Sequence, residues 1–171
     1  SGSDIVCGSV ERFDSRNSWA PSWVDDVHRE RRTGIVLDDF LPLLRNLYTW
    51  NKLFRRDFYA AQGLQFREGV AYEDQPIITE LFAAARSIDV LPDIVYRYRQ
   101  RDDKSSISQQ TASLKDLRDR IEAWRLSAES FRRRLSPAAY DGWLATLFEA
   151  HFQWYLQSTG TVDDTYWTEL T

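Results

Sequence analysis

Two clusters of side chains in this sequence are of the kind that does chemistry. The first is Tyr72-Glu73-Asp74-Gln75-Pro76, two carboxylates just ahead of a proline and an apolar run. A carboxylate held at the mouth of a site can accept the proton of an attacking hydroxyl, and a helix N-terminus favours its ionised form. The same acids can equally cap a helix by satisfying free backbone N–H groups, worth about 1 kcal/mol. Spacing alone favours the cap, and the two roles are compatible. The second cluster is Arg97, Arg99, Arg101 and Lys104, followed by Ser105-Ser106-Ile107-Ser108. At the two-residue period of a strand the three arginines share one face. Guanidinium forks, an ammonium and hydroxyls together make a diphosphate clamp. A solvated basic edge strand, charged against edge-to-edge pairing, accounts for the same residues.

Other site patterns are absent from the sequence: no Gly-rich phosphate loop, no Asp-x-Asp, no His-Glu-x-x-His and no Gly-x-Ser-x-Gly. The acidic pairs Asp25-Asp26, Asp38-Asp39, Asp102-Asp103 and Asp163-Asp164 are adjacent and so have the wrong spacing for the first of these. His151 falls on an apolar helical stripe and reads as a packing histidine, while His28 sits in a charged stretch and is assigned no role. A single cysteine, Cys7, rules out an internal disulfide and a multi-cysteine zinc site, and fits a reducing, cytoplasmic setting.

The elements that must position these residues follow from periodicity. Ile5 to Phe13 reads as a strand with a turn or bulge at Gly8. Asp14 to Gly34 is polar and aperiodic, which predicts a long surface loop pinned by Trp19 and Trp23. Asp38-Asp39 predicts the start of a helix through Leu47, with Pro42 in its first turn. Thr49 to Tyr59 predicts a second, basic helix ended by Gly63, and Leu64 to Phe66 a brief extended piece. A third helix starts at Glu73-Asp74. Ile88–Leu91 and Ile94–Arg99 predict two strands separated by Pro92-Asp93. Leu114, Leu117, Ile121, Trp124, Ala128, Phe131 and Leu135 recur at helical spacing, Ser136-Pro137 starts another helix, and Gly160 closes it before a short tail containing Trp167. The pair reads as a helical hairpin on a mixed α/β body.

Composition bounds the class. The chain has 171 residues, 43% hydrophobic and 14% aromatic, enough for a buried core and too apolar for disorder. A formal net charge of -4 argues against a general nucleic-acid binder. No run of 18 apolar residues encodes a transmembrane helix. The sequence contains no methionine, and Ser1-Gly2-Ser3 resembles a tag remnant; a piece cut from a longer protein is the expectation.

Taken in order, Trp50-Asn51-Lys52-Leu53-Phe54-Arg55-Arg56, Phe66, Tyr72-Glu73-Asp74, Val95-Tyr96-Arg97-Tyr98-Arg99 and Ser105-Ser106-Ile107-Ser108 resemble the second half of family-2 glycosyltransferases of GT-A fold. The resemblance covers residues 4–110 and is strongest to bacterial enzymes of cell-wall and teichoic-acid-type glycan synthesis. It implies a nucleotide-sugar donor, an inverting displacement and a divalent metal, Mg or Mn. It also implies that Asp74 is the base, with Glu73 as its neighbour or helix cap. Arg101, Lys104, Ser105 and Ser106 would stabilise the departing diphosphate. Trp50, Asn51 and Lys52 would line the floor near donor or acceptor, and Trp19, Trp23 and Trp50 could stack on sugars. The family's nucleotide-binding half and its metal-binding Asp-x-Asp have no counterpart in these residues, so the chain by itself is expected to be inactive.

The expectation is therefore an α/β, α+β-like fragment: a partial GT-A-like domain with a short mixed sheet over residues 4–110, then a helical hairpin and tail over 111–171. The intact enzyme would transfer a sugar to a cell-envelope polymer or lipid-linked acceptor, in the cytoplasm or at the inner face of the membrane. The alternative is a non-catalytic interaction or oligomerisation module of a larger cell-wall biosynthesis protein. Its aromatic helices would then dock the missing N-terminal half or a second copy. Arg132-Arg133-Arg134 could meet a lipid surface, but three like charges ending a helix more simply complement its dipole.

Overall fold

Strand β1 (Ile5–Phe13) is the axis of the fold, with Ile5, Cys7 and Val10 fully buried along it. The computed structural model describes residues 2–103, 113–157 and 164–170, without the side chains of 150, 151 and 154. Four further strands join β1 in a five-stranded mixed sheet, three of them paired with it directly. β2 (Ser18–Trp19) and β4 (Lys52–Phe54) pair antiparallel with its end and its start, on one side. β5 (Ile88–Arg99) runs parallel to it on the other side, and β3 (Arg32–Ile35) pairs antiparallel with β5. The expected α/β class with a short mixed sheet and a C-terminal helical hairpin is what the chain forms.

The expected break at Pro92-Asp93 is not a break. β5 is one strand of 12 residues, and the extra length is absorbed as a bulge: Cys7 pairs with Val90, but Ser9 pairs with Ile94. A proline cannot donate to a ladder, and a bulge is where a sheet tolerates one. At a second register shift, where Ser9 pairs with Ile94 and Val10 with Tyr96, Val95 lies over Gly8 so closely that a Cβ there would meet both valine methyls at 2.4 Å. Gly8 is thus required by close approach of two strands.

Three other expectations are corrected. The stretch read as a long loop contains β2, β3 and helix α1 (Ser22–His28), which buries Trp23, Val24, Val27 and His28. Its apolar residues are too few for the helical period to stand out against the charges. The helix expected from Asp38-Asp39 is two 3-10 turns, Leu37–Asp39 and Leu41–Arg45. Phe40 between them sits at φ -148° and ψ 75°, outside the helical region, which stops a continuous helix. The basic helix expected from Thr49 is divided: Lys52–Phe54 is strand β4, alternating in and out with Leu53 exposed, and only Arg56–Gln62 is helical (α2). Three residues cannot declare a period, so the free edge of β1 decides their conformation. Gly63 does end α2, in the left-handed region at φ 62°. Leu64 to Phe66 form no strand.

α3 (Asp74–Ala84) starts where the two acids predict and buries Ile77, Ile78, Leu81 and Phe82 in the same core as residues of β1 and β5. The hairpin is also as read: α4 (Leu114–Arg134) is capped by the Ser113 hydroxyl, and α5 (Pro137–Thr146) by that of Ser136. After α5 comes a wide π-type segment, Leu147–Phe152, then α6 (Gln153–Gln157). Trp167 belongs to a further helix, α7 (Asp164–Leu170), rather than to an irregular tail. Gly160 and the His151 side chain lie outside the described residues.

One core joins these layers. Phe131 of α4 and Trp143 of α5 meet edge to face at 5.3 Å within the same cluster as β1, β5 and α3. A smaller cluster gathers Leu117, Tyr155 and Tyr166. All three arginines ending α4 have internal partners: Arg133 and Arg134 pair with Glu80 of α3, and Arg132 lies over the Tyr140 ring. The β1–β5 approach yields a direct test. Gly8→Ala is expected to destabilise the fold by about 1–3 kcal/mol through overpacking, and Val95→Ala in the same chain to recover part of that loss, both read from urea denaturation.

Candidate functional site

Asp74 occupies the first turn of α3, with Glu73 at the N-cap position. Glu73 is exposed and makes no side-chain capping hydrogen bond. The Asp74 carboxylate accepts from the backbone N–H of Thr49 at 3.4 Å. Burial, and secondarily the charge of Glu73, push its pKa above the ordinary carboxylate value, against the opposing pull of the Thr49 N–H and of Lys52. The expectation that a helix N-terminus would favour the ionised form is therefore reversed in direction: desolvation outweighs the helix end. A raised pKa makes a carboxylate a stronger proton acceptor, which suits general-base chemistry.

The loop that reaches Asp74, residues 46–51, is held from below. Lys52 is buried and donates to the Asn46 side-chain oxygen at 2.9 Å, to the Asn51 side-chain oxygen at 2.9 Å and to the Tyr48 carbonyl. All three ammonium protons are thereby used inside the protein. Burial pulls the lysine pKa down to about 8. Asn51 is equally internal: its amide donates to the Gly8 carbonyl at 2.8 Å, while its own carbonyl accepts from the Gly8 N–H at 2.9 Å. Of the three residues expected to form the floor, Asn51 and Lys52 thus lie beneath the surface with their polar atoms turned inward. Trp50 is the one that is partly exposed.

The network continues to a residue with no role assigned from sequence. His28 Nδ1 lies 2.8 Å from the Leu91 carbonyl, at the β5 bulge, and its Nε2 lies 3.1 Å from the Asn46 amide nitrogen. A carbonyl only accepts, so Nδ1 carries the proton and Nε2 accepts from Asn46. The neutral imidazole therefore completes a chain running from Leu91 through His28, Asn46, Lys52 and Asn51 to Gly8.

Trp50 anchors an aromatic surface that sequence reading only half identified. It stacks on Tyr48 at 5.1 Å, and lies 4.7 Å from Tyr96 and 5.6 Å from Tyr98; Tyr48 in turn meets Trp23 at 5.7 Å. Tyr96 and Tyr98 are two apart on β5 and so share one face. Arg97 points the other way, pairing with Glu11 at 2.8 Å and covering Phe13. Trp19 lies on β2. Arg101 is exposed just beyond β5, whereas Lys104, Ser105, Ser106 and Ser108 lie outside the described residues. Among the described residues no group of three or more His, Cys, Asp or Glu side chains is arranged to hold a metal ion.

No protein-family model matches the sequence, and no curated protein matches it. Solved structures do. A crystal structure of S. aureus TarS residues 1–349 with UDP-GlcNAc superposes with a TM-score of 0.68 at 21% identity, over 98% of this chain and 46% of that one. The same TarS segment with UDP gives 0.64 at 20% identity, over 95% and 43%. A longer TarS structure gives 0.55 at 21% identity, over 88% and 24%. The fold is similar to that of part of TarS. This chain spans less than half the length of these TarS chains.

Acid sensitivity follows from the buried histidine. Burial holds the His28 pKa below its ordinary 6.5. As pH falls through 6.5 the unfolded chain binds a proton that the folded chain does not, so stability falls with it. Unfolding free energy measured against pH is expected to decline from 6.5 downward in the parent chain, and His28→Gln is expected to flatten that decline.

Proposed function

We propose that this chain is the acceptor-side half of a family-2-like, GT-A-type glycosyltransferase domain. The intact enzyme would move a sugar from a nucleotide-sugar to a cell-envelope polymer or lipid-linked acceptor. The observation that carries the reading is a half-buried carboxylate, Asp74, beside an aromatic surface in a fold similar to that of part of S. aureus TarS. The TarS structures hold UDP and UDP-GlcNAc, which supports a nucleotide-sugar as donor.

In this reading Asp74 takes the proton of an acceptor hydroxyl as its oxygen attacks the anomeric carbon. The bond from that carbon to the diphosphate oxygen breaks on the opposite side, and the electron pair leaves with the nucleoside diphosphate. Configuration at the carbon is inverted. The burial that raises the Asp74 pKa supplies driving force for the proton transfer. Trp50, Tyr96 and Tyr98 offer ring faces to the apolar sides of sugar rings. Glu73, exposed beside the base, contributes charge to the site mouth. The resemblance assigns the leaving diphosphate to Arg101, Lys104, Ser105 and Ser106, where cationic and hydroxyl donors would offset its developing charge. It also assigns a divalent ion, Mg or Mn, to an Asp-x-Asp element that this sequence does not contain.

A second reading, an interaction module in a larger cell-wall biosynthesis protein or a homo-oligomer, draws on exposed apolar side chains. Leu53 is 75% exposed on the free edge strand β4, and Phe148 is 61% exposed. The two readings coexist if these side chains face the rest of the enzyme. None of the described helices is long and apolar enough to cross a membrane.

Asp74→Asn separates them. In the intact enzyme this change is expected to lower transfer by about 10²–10⁴-fold with the thermal midpoint unchanged. Retained activity would leave Asp74 as a helix-start residue only. The 171-residue chain by itself is expected to release no nucleoside diphosphate from UDP-GlcNAc in the presence of acceptor.

A further inference from the structure

The segment leading into α3 is gripped by one face of α4. Arg67 pairs with Glu122 at 3.2 Å, the Lys115 ammonium lies 3.4 Å from the Gly69 carbonyl, and the Ala71 N–H donates to Asp119 at 2.9 Å. The Tyr72 hydroxyl donates to one oxygen of Asp116 at 2.7 Å, and the Tyr155 hydroxyl of α6 donates to its other oxygen at 2.9 Å. Arg120 closes the arrangement: its guanidinium lies 3.4 Å from the centre of the Tyr72 ring, and its Nε donates to the Tyr155 hydroxyl at 3.3 Å. Lys115, Asp119 and Glu122, with Asp116 and Arg120 alongside, follow the three-and-four spacing of a single helix face.

What this face holds is a strained residue. Tyr72 sits at φ 62°, a left-handed conformation taken by no other non-glycine among the described residues. An aromatic residue there is strained, and it persists only when its surroundings over-determine it. The strain accomplishes one local thing. It turns the chain so that the Tyr72 carbonyl accepts from the Gln75 N–H at 3.2 Å, opening α3 with Asp74 directed at the Thr49 N–H. Gly69, three residues earlier, takes its own positive φ of 74° at no steric cost, having no Cβ. A tyrosine at 72 has a use that a glycine would not: its hydroxyl reaches Asp116, 44 positions away in sequence.

We infer that α4 sets the position of Asp74, with Asp116 and Tyr72 as positioning residues that act through the left-handed turn. The inference rests on the reading of Asp74 as the base. It gives the C-terminal helices a part in transfer through the turn that leads into Asp74.

The test compares Tyr72→Phe, Asp116→Asn, Asp74→Asn and, as a control, Arg118→Ala, which removes an exposed ion pair from α4 to Glu169 of α7, in the intact enzyme with UDP-GlcNAc as donor. Tyr72→Phe removes one hydroxyl and keeps the ring under Arg120, so it decides the matter if Asp116→Asn fails to fold. The expected result is a fall in kcat of about 10–100-fold for Tyr72→Phe and Asp116→Asn, since misplacement of about 1 Å can cost that much. Donor KM stays within about twofold. The acid limb of the kcat–pH profile moves, because the surroundings of Asp74 set its pKa, and Arg118→Ala matches the parent. Unchanged kcat and pH profile in Tyr72→Phe, with Asp74→Asn inactive, would overturn the inference and leave the base reading standing. A fall in kcat matched by an equal loss of folded protein would also overturn it. Full activity in Asp74→Asn would remove the base reading and the inference together.

Discussion

An ammonium group in a protein interior must have an oxygen for each of its protons, because an uncompensated buried charge costs several kcal/mol. Lys52 meets that demand with Asn46, Tyr48 and Asn51, and the rest of the site depends on how it does so. Asn46 is free to turn its oxygen to the lysine because His28 takes its amide proton. Asn51 can do the same because its amide is used by Gly8 of β1. One buried cation thus ties helix α1, a 3-10 turn, a loop and the central strand into one polar network. That network presents the Thr49 N–H to Asp74 and the Trp50 ring to Tyr96 and Tyr98.

Two supports therefore converge on Asp74. Below it, the lysine network fixes the loop that its carboxylate touches. Behind it, α4 holds the left-handed turn at Tyr72 from which α3 begins. Both supports are polar and buried or half-buried, and neither has much tolerance for a missing partner, since a lost donor leaves an acceptor without water. This is how a carboxylate can be desolvated enough for its pKa to rise while remaining at the edge of a surface.

The candidate site was legible in part. Glu73-Asp74 ahead of Pro76 and an apolar run marked both the start of α3 and the acid itself, since helix starts and acids share one electrostatic logic. The basic-serine cluster is a different case: Arg97 turned out to be committed to Glu11 and Phe13, a contact between strands 86 positions apart that period two alone does not reveal. His28 and Asn46 looked like ordinary polar residues because the groups they satisfy, Leu91 and Lys52, come from other elements. Tyr72 carried no signal of strain, since a non-glycine left-handed turn is visible only as a backbone angle.

The sequence by itself determined the parts whose information is local. Helices α3, α4 and α5 have apolar periods, Ser136 starts α5, Gly63 is a stop, and each was readable from its neighbours. Tertiary structure decided the rest. Lys52–Phe54 became a strand because β1 offered an unpaired edge, and β5 ran on through Pro92 because β1 could take its pairing up again beyond a bulge. Lys52 became a structural cation rather than a surface one because its oxygen partners close around it only when the loop folds back. In each case the deciding partner is a backbone or side-chain group elsewhere in the chain, and no local pattern encodes a hydrogen bond whose other half is distant.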